Sequence, residues 1–300
     1  MDRADGMTVF VAVAEHGSFA DAARRLGRSP AAVTRAVAEL EARLGVRLLN
    51  RTTRAVSLTE VGQRFLSGAT RVLADLDEIE RAAAGQGLAP RGELAVTAPI
   101  VFGRLHVLPI VAEFLAHYPD VSVRLKLLDR PVDMVEEALD VAIRIGALAD
   151  SSAIATRVGA VPEIVVAAPS YVARRGAPLM PLDLGGHDIV AFAAISGIER
   201  WAFGQSREVV VPVKPRLIVT TAEAAVDAAS AGVGITRVLG YQAADAIAAG
   251  SLLRLLQAHE GDDLPIHALY PGGRHPPPKL RAFLDFAIPR LRHRCEGMLP

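Results

Sequence analysis

Between Ser18 and Gly62 the residues leave the chain little conformational choice. Ser18 stands before an apolar set at Phe19, Ala22, Ala23 and Leu26, the three-and-four spacing of one helical face, and Gly27 follows as a stop. Ser29 then precedes Pro30, which suits a first helical position because the amide it lacks would have no intrahelical partner there. Val33, Val37, Leu40 and Leu44 form the apolar stripe of this second helix, which Gly45 closes, and Thr34 and Arg35 fall on the other face. The spacing predicts helices over 19–26 and 30–44 joined by a tight turn.

A short helix, a Gly-containing turn and a second helix with small, polar or cationic residues at its exposed N-terminal positions is the layout of a helix-turn-helix reader of the DNA major groove. Charge agrees with it. From Ser18 to Arg64 there are nine arginines against four acids, in a chain whose 33 Lys+Arg balance 33 Asp+Glu. One segment is therefore basic and the remainder acidic, the asymmetry that phosphate contact requires.

The neighbouring stretches complete a small domain. Residues 8–16 read as a helix with Phe10, Val11 and Ala14 on one side, ended by Gly17. Residues 48–50 and 55–58 read as short extended segments around Arg51-Thr52-Thr53-Arg54, a hairpin of the kind laid on phosphates or in the minor groove. Thr59 then caps a helix running to about residue 84, in which Phe65, Ala69, Val72, Leu76, Ile79 and Ala83 make a heptad seam. At 1.5 Å per residue such a helix spans roughly 38 Å. Its seam predicts pairing with the same helix of a second copy, the alternative being a long core helix, and residues 85–92 read as a linker.

From residue 93 strands alternate with helices. Strands are expected at 93–97, 121–128, 141–145, 163–168, 189–192, 207–213, 217–219, 233–236, 252–256 and 266–270, and helices at 99–118, 132–139, 221–231, 240–249 and from Pro278. The alternation implies mostly parallel sheet with covered faces. Residues 163–168 would cross into a second lobe and 266–270 would return, so two sheets would share a hinged cleft. Ligands in such sheets lie outside the strand carboxyl ends, where helix N-termini favour anions. Thr97-Ala98-Pro99 and Thr221 occupy those places, either as caps or as ligand contacts. Arg144 follows a strand and would meet an effector, pair with a cleft carboxylate such as Asp129, or be structural. These features favour a small polar or carboxylate-bearing ligand.

Ser29-Pro-Ala-Ala-Val-Thr-Arg35, Leu40-Glu41, Leu44-Gly45, Leu48-Leu49, Arg51-Thr-Thr-Arg54, Leu58-Thr59 and Gly62 together resemble the winged helix-turn-helix of LysR-type transcriptional regulators. The similarity continues through Thr97-Ala-Pro99, Phe102-Gly103-Arg104, Leu108-Pro109, Phe114, Tyr118-Pro119, Asp140-Val-Ala-Ile-Arg-Ile-Gly146, Asp150-Ser-Ser152 and Ala231-Gly-Val-Gly-Ile235, which look like that family's effector-binding domain. It is weakest over 130–133 and 195–207. The resemblance implies an α/β chain with a winged helix-turn-helix over 1–62, a linker and dimerisation helix over 59–88, and an effector domain over 92–300 similar to type 2 periplasmic binding proteins. Lobe 1 would hold 92–162 and 266–300, and lobe 2 163–265. It further implies a cytoplasmic dimer or tetramer on a promoter operator in double-stranded DNA, with RNA polymerase as a further partner and no membrane. Ser29, Pro30, Ala31, Thr34, Arg35, Arg51, Thr52 and Arg54 would meet DNA, and Thr97, Ala98, Pro99, Phe102, Asp129, Arg144, Gly146, Phe192 and Thr221 the effector.

Other chemistries find little support. Ser196 lies in no nucleophile elbow, there is no phosphate loop, and Gly232-Val-Gly234 lacks the third glycine of a dinucleotide fingerprint. Eight histidines are scattered without metal-ligand spacing, and Cys295 has no second cysteine with which to pair. No catalytic residue, metal or cofactor is therefore expected. A single cysteine suits a reducing compartment, and no signal-like run or stretch of about 18 uninterrupted apolar residues occurs. The alternative to a regulator is a cytoplasmic solute-binding module whose basic N-terminal bundle does not select DNA.

Overall fold

The computed structural model describes residues 2–51, 56–83, 89–148, 153–193, 198–272 and 276–296. Its contacts divide the chain into two compact units, one of Met1–Gly92, Val132–Leu139 and Pro277–Lys279, the other of Glu93–Pro131, Asp140–Pro276 and Leu280–Pro300.

The first unit contains α1 (Arg3–His16), α2 (Phe19–Leu26), α3 (Pro30–Leu44), β1 (Leu49–Arg51), β2 (Val56–Leu58) and α4 (Glu60–Ala83). Helix α1 begins five residues before the expected 8–16, and Val9, Ala12 and Val13 join Phe10 in the core. Ser18 and Ser29 each accept an amide three residues on, from Asp21 at 3.3 Å and Ala32 at 3.2 Å, as N-caps do. Between them Gly27 takes φ 63°, a left-handed conformation that glycine adopts without a Cβ clash. Val33, Val37 and Leu40 are buried as expected, with Ala36 beside them, but Leu44 is 40% exposed. The stripe ends a turn early because Gly45 diverts the chain there, at φ 70°.

Strands β1 and β2 pair antiparallel, Leu49 opposite Leu58. The Glu41 carboxylate accepts the Leu48 and Leu49 amides at 2.8 and 3.1 Å, which ties α3 to the base of this hairpin. Thr59 caps α4 by accepting the Gly62 amide at 2.9 Å. The seam on α4 is only partly open. Phe65 packs edge-on against Phe10 at 5.3 Å and Ala69 is buried, whereas Val72 and Leu76 are exposed. The first part of the stripe is thus used by the domain's own core, and the side chains of Ile79 and Ala83 lie outside the described residues.

The second unit has two lobes. In chain order it contains β3 (Gly92–Ala98, of which Gly92 closes the first unit), α5 (Ile100–Phe102), a π-helical turn Gly103–Val107, α6 (Leu108–His117), β4 (Val121–Leu127), β5 (Val141–Ile145), β6 (Ala153–Val161), β7 (Glu163–Ala167), α7 (Pro169–Arg175), β8 (Ile189–Phe192), β9 (Arg200–Phe203), β10 (Val209–Pro212), β11 (Pro215–Val219), α8 (Ala222–Ser230), β12 (Ile235–Leu239), α9 (Gly240–Ala248), β13 (Leu253–Leu255), β14 (Leu264–Pro271) and α10 (Pro278–Glu296). Lobe 1 is built on the sheet β4-β3-β5-β14-β6 and lobe 2 on β11-β8-β12-β7-β13. The chain crosses between them at Pro162 and returns at Asp263.

These sheets correct the mostly parallel expectation. β3–β5, β8–β11 and β8–β12 are parallel, but β14 runs antiparallel to β5 and β6, and β7 antiparallel to β12 and β13. Crossover strands enter each sheet from the other lobe, which reverses their sense. Residues 132–139 are not helical either. The Asp133 carboxylate accepts the Val135 and Glu136 amides, and the Leu139 amide reaches Met134, with Ala138 at φ 48°, so the segment closes as one turn. Strands β6 and β9 and helix α7 had no expected counterpart.

The helical run Ile100–His117 is long and apolar enough to cross a membrane by length and composition. Here Val101, Phe102, Val107, Ile110, Val111 and Phe114 are buried in the lobe core, which accounts for that apolarity.

Candidate functional site

Two surfaces were expected to carry function. On the first, Ser29, Pro30, Ala31, Thr34 and Arg35 are all exposed along the opening turns of α3. The Thr34 hydroxyl donates to the Pro30 carbonyl at 2.9 Å, which fixes its rotamer and leaves its oxygen lone pairs outward. Nearby cations are not equally available: Arg28 is held by Asp5 at 3.1 Å, and Arg24 by Asp21. Arg35 stands on the face itself. Thr52 and Arg54, and the side chain of Arg51, lie outside the described residues.

The second surface is a cleft of about 620 Å³ between the lobes of the second unit. Of the expected residues, Pro99, Asp129, Gly146 and Phe192 line it. Thr97, Ala98 and Phe102 do not, being fully buried one layer down. The Thr97 hydroxyl has no hydrogen-bond partner and caps no helix. Thr221, also absent from the lining, is the N-cap of α8 and accepts the Ala224 amide at 3.3 Å. Arg144 donates to the Ile143 carbonyl at 3.1 Å and is likewise not among the lining residues.

The lining contains residues that were not anticipated: Glu163, Ser206, Arg207, Tyr241, Gln242, Asp262 and Asp263. Tyr241 and Gln242 follow β12 as Pro99 follows β3, so the strand-to-helix rule finds them once β12 is seen to run to Leu239 instead of ending at 236. Glu163, Asp262 and Asp263 stand beside the crossovers, a position that pattern reading had treated as connection.

Electrostatically the cleft differs from the anion site expected. The amide of Ile100, at the head of α5, is already taken by Asp129 Oδ1 at 3.0 Å. Helix α8 is capped by Thr221, with Glu223 in its first turn, and the Leu239 amide ahead of α9 by Gln242 at 2.9 Å. The partial positive charge of these ends is met from within the protein. Burial holds the Asp129 carboxyl above its ordinary range; the Ile100 amide opposes this, Glu223 adds to it and Arg144 offsets it. Below the cleft Tyr241 packs edge-on against Phe102 and His106, at 5.6 Å from each, and burial followed by the charge of Arg294 brings the His106 imidazole down to about 4. Among the described residues no group of three or more His, Cys, Asp or Glu side chains has metal-binding geometry.

An N-terminal helix-turn-helix unit followed by a two-lobed α/β unit with a cleft is the layout expected of a transcriptional regulator. Residues 5–63 match the family model for bacterial regulatory helix-turn-helix proteins of the lysR family, and residues 88–292 match the LysR substrate binding domain. An HTH-type transcriptional regulator of Xanthomonas campestris is 34% identical over 97% of this chain and 86% of its own length. CrgA of Neisseria meningitidis is 33% identical over 98% of this chain and 99% of its own. The solved structure of CrgA superposes with a TM-score of 0.60 over 97% of this chain and 99% of that one, at 31% identity. Full-length AphB, a Vibrio cholerae virulence activator, gives 0.60 at 28% identity over 96% and 99%. The chain belongs to the LysR family of transcriptional regulators.

Proposed function

We propose that this regulator selects its operator through the exposed face of α3, that it does so as a dimer or tetramer paired along α4, and that a small molecule held in the interlobe cleft controls it in the cytoplasm. Ser29, Pro30, Ala31, Thr34 and Arg35 would meet bases and phosphates, with Arg51, Thr52 and Arg54 on the wing, and RNA polymerase would be a further partner at the promoter. The observation that carries this reading is the α3 face, where these five neighbouring residues are exposed at a capped helix N-terminus. No turnover is proposed for the cleft ligand.

The test is to mix the protein with its own sheared genomic DNA at near-physiological salt, recover bound fragments and footprint the strongest. Enrichment of a site with two-fold symmetry is expected, and recovery no better than random fragments would sink the reading. Arg35→Ala should weaken binding to that site by about 1–3 kcal/mol and relax selection at one base pair if Arg35 reads a base. Unchanged affinity in a filter-binding titration would remove it from the contact set.

A further inference from the structure

We propose that the interlobe cleft takes an organic cation, an amine or guanidinium, and not a carboxylate. This rests on the reading of that cleft as the effector site. Four carboxylates line it, those of Asp129, Glu163, Asp262 and Asp263, against one guanidinium, that of Arg207. Arg207 is already committed to Glu163 at 3.3 Å, and Glu163 also meets Arg237 at 3.4 Å. One acid is thus matched by two bases; of the other three, Asp129 lies in the field of Arg144 and Asp263 in that of Arg254, and the lining itself still carries more acid than base.

Their surroundings point the same way. Asp129 keeps Oδ2 with no hydrogen-bond partner, as Glu223 keeps Oε2, and the Glu223 charge discourages ionisation of Asp129 further. Asp262 accepts the Ser206 amide at 3.3 Å, in a wall where Ser206 and Arg207 both hold left-handed backbone, at φ 58° and 56°. Two consecutive non-glycine residues in that region are strained, a conformation that persists only where the surrounding structure holds it. The helix ends that would have attracted an anion are already capped by Asp129, Thr221 and Gln242. Phe192 and Tyr241 add aromatic surface, whose π-faces attract cations. A bound ammonium or guanidinium would meet the acidic lining with opposite charge, whereas a carboxylate would bring a further negative charge beside it.

The experiment measures the sign of the field in the cleft with the full-length protein. Ala147 is exposed and lines the cavity, so Ala147→Cys places one thiol there, in a Cys295→Ala background that removes the buried native one. Its rate of modification is compared for a trimethylammonium and a sulfonate methanethiosulfonate, each normalised to free cysteine. The cationic reagent should be favoured at least tenfold at low salt, and the preference should shrink as salt is added. It should also shrink in Asp262→Asn/Asp263→Asn; if that variant does not fold, the salt series on the parent carries the same information. Equal rates, or a preference for the sulfonate, overturn the cation. Footprinting the fully labelled protein on its operator separates the two readings. A footprint changed by labelling together with a sulfonate preference leaves the effector site standing and removes only the cation. A footprint identical before and after labelling removes the effector reading and this inference with it.

Discussion

Two half-buried titratable residues near the cleft work in opposite directions on stability. The His106 ring packs 4.9 Å from that of Phe102 and is held neutral, its pKa brought down to about 4 from the usual 6.5. The unfolded chain takes up that proton first as the pH falls, so stability is lost between about pH 6.5 and 4. His106→Phe keeps a ring in the stack and removes an Nε2 that has no hydrogen-bond partner. Urea midpoints at pH 7 and pH 5 should differ less for the variant than for the parent; an unchanged difference would acquit His106. Asp129 has the reverse sign. Its folded pKa lies above the unfolded one, so its ionised form opposes folding at neutral pH and this opposition fades as the pH falls through the folded pKa. Asp129→Asn retains an oxygen for the Ile100 amide. It should melt higher than the parent at pH 7, with the two converging as the pH approaches 4, and a variant that melts lower at pH 7 would refute this.

At the scale of elements, the join between wing and long helix depends on the absence of a side chain. A Cβ added at Gly62 would lie 2.0 Å from the Leu48 carbonyl oxygen, and backbone cannot swing aside as a flexible side chain can. Gly62→Ala should therefore cost about 1–3 kcal/mol in equilibrium denaturation. Gly68, two turns on in α4 with nothing near its missing Cβ, should instead gain up to about 1 kcal/mol as alanine. Equal effects at the two positions would contradict the packing described. The same scale explains what was legible in the sequence. Helices α2 and α3 carry caps, stops and a 3.6-residue stripe, all local signals, and they fall where expected. Residues 132–139 had an apolar pattern as well, and Asp133 caps their first turn as it would a helix, but Ala138 turns left-handed at φ 48° and ends it after that single turn. Strands β7 and β14 could be recognised, whereas their antiparallel sense could not, because alternation within a strand carries no information about its neighbour.

For the whole molecule, assembly should follow the part of the α4 seam that the domain's own core leaves open. Val72 is 50% and Leu76 36% exposed. Val72→Glu/Leu76→Glu should shift sedimentation toward the monomer and weaken operator binding together, while leaving the melting of the reading head unchanged. An undiminished oligomer would place the interface elsewhere. Site legibility divides along similar lines. The α3 face is contiguous in sequence and could be read from it, but the cleft is assembled from β-strand ends, a strained loop and two crossovers brought together only by folding. Asp129 illustrates the difference: its chain position marked it as a cleft residue, yet its role as the cap of the neighbouring helix depends on a contact 29 residues away.

Thr59, at the foot of the wing, donates its hydroxyl to the Arg47 carbonyl at 2.9 Å while capping α4, and Gly62 brings the same helix against Leu48. The foot of the wing is consequently fastened to the first turn of α4, as the bit of a key is to its stem. In the dimer proposed above, the angle at which two stems cross would then set how far apart the two bits stand. The spacing of half-sites along the DNA becomes a ruler reading of that angle, and one inserted base pair, which adds about 3.4 Å and rotates one half-site away from its partner, tests how stiff the stems are.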